Sequence, residues 1–153
     1  MITTLNTQLE IYEVCGNIIR HLPTVEEVKE IVISEVNKKV DQKILEGFVW
    51  RDMPIWLSSE NQFNYKAAYD LAVQTQGMNL PSTFKFGTVD EPKYHTFETV
   101  EELQDFYTSA VRFINDTLAE GWKEKDSFDI EGCKKEIKEK NIERTIYFHK
   151  LEQ

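Results

Sequence analysis

The side chains that could bind a metal ion or move a proton are scattered along this sequence. Its three histidines, His21, His95 and His149, lie far apart, and none stands in an HExxH pattern or near a Cys-x-x-Cys pair. Metal sites need several such ligands at short, recurring spacings. Neither GxGxxG nor GxxxxGKS/T occurs, so no loop is predicted to hold a phosphate. We therefore predict no metal site and no cofactor.

Adjacent carboxylates are plentiful, at Glu26-Glu27, Asp90-Glu91 and Glu101-Glu102. The first and third pairs follow a threonine that begins a predicted helix, where unpaired N–H groups favour negative charge. A glycosidase pair would have to face a cleft, whereas these positions are predicted to be exposed. The acidic stretch 126–131 (DSFDIE) lacks the later glutamate of a full calcium-binding loop. We therefore predict a protein that is not an enzyme.

The densest aromatic run, 47–57 (GFVWRDMPIWL), contains two of the three tryptophans. A turn is predicted near the Arg51-Asp52 pair and Pro54, because Asp and Pro favour turns whereas Val, Ile and Trp favour strands. Trp50 and Trp56 are candidates for an aromatic surface that stacks on a sugar or a nucleotide. The competing interpretation is that they belong to the core or to an interface, where aromatic strand residues are more common.

Composition and charge limit the classes of partner. The chain has 153 residues, 41% hydrophobic and 29% charged, which is typical of a folded domain. Its net charge of −9 disfavours nucleic acid and anionic lipid, because phosphate binding needs clustered Lys and Arg. No run approaches the roughly 20 apolar residues that span a bilayer, and the distant Cys15 and Cys133 predict reduced thiols. We expect a soluble protein, made in cytoplasm, that binds neither nucleic acid nor membrane.

Three predicted helices begin at capping boxes, in which the first and fourth residues satisfy each other's backbone N–H groups. The boxes are Thr24–Glu27, Ser59–Gln62 and Thr99–Glu102. Apolar residues recur three or four apart after each box, which predicts helices with one apolar face. Gly77 and Gly121 are predicted to end the second and third of these helices.

Short aromatic and β-branched runs predict strands between these helices. Two hairpins, formed by 48–50 with 55–57 and by 83–87 with 94–97, are predicted to build one small antiparallel sheet. The predicted fold class is therefore α+β, a small antiparallel sheet of two β-hairpins packed against about three α-helices.

The two ends of the chain are predicted to lie outside this domain. We divide the chain into an N-terminal segment, 1–22, an α+β domain, 23–125, and a C-terminal extension, 126–153. The extension is predicted to contain a surface helix over 129–140 and then a terminal strand over 142–151, where apolar residues alternate.

The N-terminal segment is apolar but has no clean period, which leaves a short strand or a helical turn followed by a loop. An apolar segment of this kind often docks onto another surface, here either the domain itself or a partner chain. We treat it as a candidate docking arm. Its candidate partner-binding residues are Leu5, Leu9, Ile11, Tyr12 and Val14.

The order of elements from residue 36 to 122 carries a resemblance. A hairpin ends in Ile55-Trp56-Leu57, a helix closes at Gly77, a strand has the sequence Phe84-Lys85-Phe86-Gly87, and a long helix contains Tyr107. This order resembles a domain family of unknown function that is common in phages and prophages and is typically encoded near tail fibre and virion genes.

The resemblance implies a virion-associated protein of the tail or fibre region that acts by protein–protein contacts with other phage structural proteins. Such a protein would be made in the host bacterial cytoplasm and located in the virion, and in a fibre or ring it would form a homo-oligomer. One alternative is a tail fibre assembly chaperone that is absent from the mature particle. Another, which rests on the Trp-rich hairpin, is a small-molecule or glycan binding module.

Overall fold

The computed structural model describes residues 1–153 as four helices and seven strands, and the predicted α+β class is confirmed. The strands are β1 Ile2–Asn6, β2 Ile11–Val14, β3 Asn17–Ile19, β4 Phe48–Trp50, β5 Met53–Ile55, β6 Ser82–Gly87 and β7 Pro92–Phe97. The helices are α1 Val25–Glu46, α2 Ser59–Thr75, α3 Val100–Asp126 and α4 Ile130–Leu151.

The chain forms two compact units. The terminal unit combines Met1–Lys38 with Gly121–Gln153, and the central unit is the continuous stretch Lys39–Glu120. Both ends of the chain, which the sequence analysis set apart from each other, thus belong to the same unit. Helices α1 and α3 each contribute residues to both units.

The central unit contains the two predicted hairpins, but they do not form one sheet. β4 pairs only with β5, and β6 pairs only with β7. In a two-residue hairpin the two residues that flank the turn, here Trp50 and Met53, exchange hydrogen bonds. The backbone groups of the next residue, Pro54, point the other way, so its nitrogen is directed away from β4. Because proline has no N–H, β5 cannot continue the ladder on that side towards β6.

The turn between β4 and β5 consists of Arg51 and Asp52, both in the left-handed region with φ of 48° and 63°. Two successive positive φ angles define the type I′ turn, which matches the twist of a hairpin but is normally made by Asn and Gly. β5 therefore begins at Met53, two residues before the predicted strand, and Pro54 lies within the strand rather than in the turn.

The capping box at Thr24 is confirmed, whereas Thr99 caps α3 without the reciprocal bond, because the Glu102 carboxylate contacts His95 instead. The Thr24 N–H donates to Glu27 Oε1 and the Glu27 N–H donates to Thr24 Oγ1, both at 3.2 Å. At α3 the Glu102 N–H donates to Thr99 Oγ1 at 3.2 Å. The cap of α2 is one residue earlier than predicted, because Ser58 Oγ accepts from the Asn61 N–H.

Gly77 ends α2 as predicted, since its N–H donates to Ala72 O at 2.8 Å just beyond the helix. The prediction for Gly121 is wrong, because α3 continues through this residue to Asp126. A single glycine inside a helix costs only about 1 kcal/mol relative to alanine, and Gly121 is buried. Trp122 follows it and is exposed.

The predicted C-terminal strand is also wrong, because 142–151 is the second half of α4. The alternation that suggested a strand includes Ile142 and Ile146, which are equally well one helical turn apart. Asp129 begins this helix, and its carboxylate accepts from the Gly132 N–H at 2.9 Å. Within the terminal unit, Arg144 of α4 forms an ion pair with Glu10.

The N-terminal segment forms a three-stranded antiparallel sheet in the order β1-β2-β3. The β2–β3 turn is formed by Cys15 and Gly16, both with positive φ. One face of the sheet is core, packed with residues of α1 and α4. The buried members of this core are Ile2, Tyr12, Val14, Ile19, Val28 and Cys133.

Candidate functional site

Aromatic rings from β4, α2, β6 and β7 surround Phe106 of α3. The ring centroids of Trp50, Tyr65, Phe86 and Phe97 lie 5.0 to 5.4 Å from that of Phe106. Edge-to-face and tilted pairs at this separation add to the free energy gained by burying the rings. This cluster fixes both hairpins and α2 against α3, and it positions the polar groups around it.

Trp50 belongs to this core and is only 5% exposed. Its indole N–H donates to Asp105 Oδ2 at 3.1 Å, which satisfies the one polar group that burial would otherwise leave unpaired. The guanidinium of Arg51 lies 4.3 Å from the Trp50 ring centroid. The structure therefore places Trp50 in the core and not on a free aromatic surface.

A polar cluster joins the β4–β5 turn to α3 and β7. His95 Nε2 contacts the Glu102 carboxylate, and Arg51 lies 3.8 Å from Glu102 and 3.9 Å from Asp105. An imidazole held by a carboxylate can exchange a proton with it, which is the chemistry this cluster offers. Each carboxylate also lies near the Arg51 cation, so the cluster balances charge and holds the strained turn against the helix.

Trp56 has a different environment, because it is 47% exposed and lines an open groove of about 610 Å³. The volume lies within the range of known small-molecule sites, roughly 300–1,000 Å³. Residues from the end of α1, β5, α2, β6 and the β6–β7 turn form its walls. They are Glu46, Pro54, Trp56, Asn61, Tyr65, Lys85, Phe86, Gly87, Thr88 and Val89.

Tyr65 is almost fully buried, yet its hydroxyl has no hydrogen-bond partner in the protein. Two side-chain oxygens, on Thr4 and Asn79, are sealed from solvent and have no hydrogen-bond partner. The Tyr65 hydroxyl is not one of these sealed atoms, so it retains access to solvent. Tyr65 lines both the Trp56 groove and a smaller cavity of about 270 Å³ between α2 and α3. A buried ring with an unpaired, accessible hydroxyl is a candidate ligand contact.

The burial of Tyr65 predicts a loss of stability at high pH. Burial raises the pKa of its hydroxyl from 10.0 to about 12. Between these values the unfolded chain releases the proton while the folded protein keeps it, so the free energy of unfolding falls as pH rises through this window. Tyr65→Phe is expected to make the fall shallower in urea denaturation series from roughly pH 9 to roughly pH 12. The control is Tyr94→Phe, at an exposed position, and equal slopes for both variants would contradict the expectation.

The outer face of the N-terminal sheet is the second candidate surface. Leu5, on β1, and Leu9, in the β1–β2 turn, are exposed, and Ile11 of β2 is half-buried. Ile18 of β3 is also exposed, opposite Glu13 of β2. The Asn6 side chain accepts from the Leu9 N–H at 2.9 Å and so fixes the turn that presents the Leu9 side chain.

The remaining two candidate residues of the segment are core residues. Tyr12 and Val14 point to the inner face of the sheet and are buried there with Ile2 and Val28. The alternation of a strand separates them from Ile11, because successive side chains point to opposite faces. Only Leu5, Leu9 and Ile11 of the predicted set are placed where a partner can reach them without unfolding the sheet.

The other candidate side chains of the sequence have structural roles. His21 hydrogen-bonds Glu27 at 2.6 Å, and this bond lowers the pKa of the Glu27 carboxyl. His149 lies near the end of α4, where Gln153 Nε2 is 3.2 Å from its Nε2. No group of three or more His, Cys, Asp or Glu side chains is arranged to hold a metal ion.

Comparisons of the chain with protein-family models, with curated proteins and with solved structures find no match. None of the four helices has the length and apolar character required to cross a bilayer. The function of the chain is therefore inferred from the two surfaces described above and from the sequence pattern.

Sequence reasoning identified Trp56 and the N-terminal apolar residues but missed the groove beside Trp56. Asn61, Tyr65 and Lys85 meet there only through the packing of α2 against both hairpins, and no local pattern signals that meeting. Ile18 was missed although a local signal for it is present in the sequence. The Cys15-Gly16 pair is a turn signal, and Ile18 and Ile19 after it alternate out and in.

Proposed function

We propose that this chain is a non-enzymatic protein of a bacteriophage particle, in its tail or fibre region, that acts by binding other structural proteins of the particle. The observation that carries the proposal is the outer face of the N-terminal sheet. There Ile18 of β3 is exposed, and Leu5 at the irregularity in β1 and Leu9 in the adjoining turn are exposed as well, while the opposite face is core. Scattered apolar residues are normal on a surface, but apolar residues gathered on one sheet face are typical of interaction sites.

The edges of this sheet support the same proposal. β1 and β3 each pair with a single strand, β2. At the edge of β1 the Ile2 N–H already donates to Glu136 Oε1 of α4 at 2.6 Å, so the proposal depends on the edge of β3. An edge strand presents unpaired N–H and C=O groups, and a partner strand added there gains main-chain hydrogen bonds while its side chains contact the apolar face. The sheet thus offers both directional and apolar contacts to a partner protein.

The phage context comes from the sequence pattern of residues 36 to 122, which resembles the phage and prophage family. That pattern corresponds to real elements, since the hairpins, α2 and α3 occur in the expected order. The pattern supports the context, and the sheet face supports the mode of action.

Mass spectrometry of purified particles tests the proposal. We expect the chain in particles of the phage or prophage that encodes it, at a fixed copy number relative to the major capsid protein. Absence from washed particles, with the chain present in infected cells, would contradict a virion component and favour an assembly chaperone.

The double variant Leu5→Asp with Leu9→Asp is expected to fold but to be lost from particles by about tenfold or more, because two desolvated carboxylates would oppose the interface. Folding is checked by circular dichroism and cooperative melting. The matched control is Leu71→Asp with Val73→Asp, two exposed apolar positions on α2. Equal incorporation of both double variants would refute the role of the sheet face.

If the face joins copies of this chain instead, the Leu5→Asp, Leu9→Asp variant will show a lower mass than the unaltered protein in light scattering. The control variant will keep the original mass. This outcome would replace the proposed partner with a second copy of the chain.

A further inference from the structure

The groove beside Trp56 combines an apolar surface with polar groups that have no partner. The exposed indole of Trp56 and the ring of Pro54 form one wall, and Phe86 lies among the lining residues as part of the buried core. A flat aromatic ring that stays exposed beside a concavity provides a stacking surface for another flat or apolar face. The backbone at Trp56 is held in place, because the Asn61 side chain donates to its carbonyl oxygen at 2.8 Å.

Three side chains of the groove have unused hydrogen-bonding capacity. The Tyr65 hydroxyl has no protein partner, and the side-chain ammonium of Lys85 on β6 makes neither an ion pair nor a hydrogen bond. Asn61 uses its amide nitrogen on Trp56, which leaves its side-chain oxygen as an acceptor. Together they offer a charged donor, a hydroxyl that both donates and accepts, and a neutral acceptor.

The charges along the groove favour a neutral ligand. Lys85 contributes a positive charge and Glu46 a negative one, whose carboxylate already accepts from Gln42 at 2.8 Å. A ligand with a formal charge of either sign would therefore meet one like charge. A ligand with an apolar face and several hydroxyl groups would satisfy the donors and the acceptors at once.

We propose that this groove binds a neutral carbohydrate, with one pyranose ring packed on Trp56 and its hydroxyl groups hydrogen-bonded to Tyr65, Asn61 and Lys85. The groove lies within the central unit, whereas the sheet face of the proposed function lies within the terminal unit. The two proposals thus depend on different residues, and either can fail without the other.

The test is calorimetric titration of the full chain with three neutral trisaccharides: maltotriose, cellotriose and triacetylchitotriose. At least one is expected to bind with a Kd of about 1 mM or tighter. Trp56→Ala is expected to weaken that binding by about tenfold or more, and Tyr65→Phe by about threefold. Trp56→Phe keeps a flat ring and is expected to retain most of the affinity.

Trp122→Ala is the matched control, because Trp122 is 58% exposed and does not line the groove. It is expected to bind as the unaltered protein does, and circular dichroism will show that each variant is folded. Failure of all three trisaccharides to bind, or equal affinities for Trp56→Ala and Trp122→Ala, would overturn the proposal. Tighter binding of trigalacturonate than of every neutral trisaccharide would overturn the neutral class of ligand.

Discussion

Replacing Phe106 with alanine is expected to lower the free energy of unfolding of the central unit by about 3–5 kcal/mol. The ring is completely buried and forms the centre of the aromatic core. Its removal takes away contacts with rings from both hairpins and α2 at once, and the surrounding large side chains cannot all move into the space. The rings in contact with it are Phe48, Trp50, Tyr65, Phe86 and Phe97.

The measurement is urea denaturation followed by tryptophan fluorescence in a Trp122→Phe background, so that both remaining tryptophans report on the central unit. The matched control is Phe63→Ala on α2, where the ring is 70% exposed. The control is expected to change the free energy of unfolding by less than about 0.5 kcal/mol. A loss below about 1 kcal/mol for Phe106→Ala would show that the rings do not form one rigid core.

Gly47→Ala is expected to lower the free energy of unfolding by about 2–4 kcal/mol. Gly47 follows α1 with φ of +77°, a conformation that costs an L residue energy. A Cβ there would collide with the carbonyl oxygen of Ile55 and lie 2.8 Å from its carbonyl carbon. Because Ile55 is a buried residue of β5, the collision can be relieved only by moving the backbone of the hairpin.

The control for this variant is Gly77→Ala in the same unit. Gly77 also has a positive φ, of +87°, but its nearest neighbour would be a methyl group of Val100 at 3.2 Å. A side chain can move by a few tenths of an ångström, so the expected loss is about 1–2 kcal/mol and reflects mainly backbone strain. Equal losses in the free energy of unfolding for the two variants in urea denaturation would show that the close approach of Gly47 to Ile55 does not contribute to the destabilisation.

Local signals in the sequence predicted the starts of α1, α2 and α3 to within one residue. The capping box at Thr24 consists of two reciprocal hydrogen bonds between residues three apart, so nothing distant is needed to form it. The same locality explains β4, which the structure confirms at Phe48–Trp50. Short-range chemistry that the sequence displays directly is the part of the fold that could be predicted.

Features that depend on distant contacts were missed or wrong. The stretch 142–151 alternates like a strand, but it forms a helix whose half-buried residue Arg144 pairs with Glu10 at the other end of the chain. The three-stranded sheet was missed because Ile11 and Ile18 on its outer face are as apolar as Tyr12 on its inner face, which hides the alternation of the strands. For the candidate site, exposure of Trp56 and burial of Trp50 follow from how the hairpin packs on α3, and the two residues look alike in sequence.

The arrangement of the two units also has a consequence for synthesis on the ribosome. The central unit is one continuous stretch, so it can fold as soon as residue 120 has emerged. The N-terminal sheet is made first but lacks part of its cover until Cys133 and Ile137 of α4 follow. A nascent chain that stalls before α4 would expose to chaperones and proteases the part of that inner face that α4 covers.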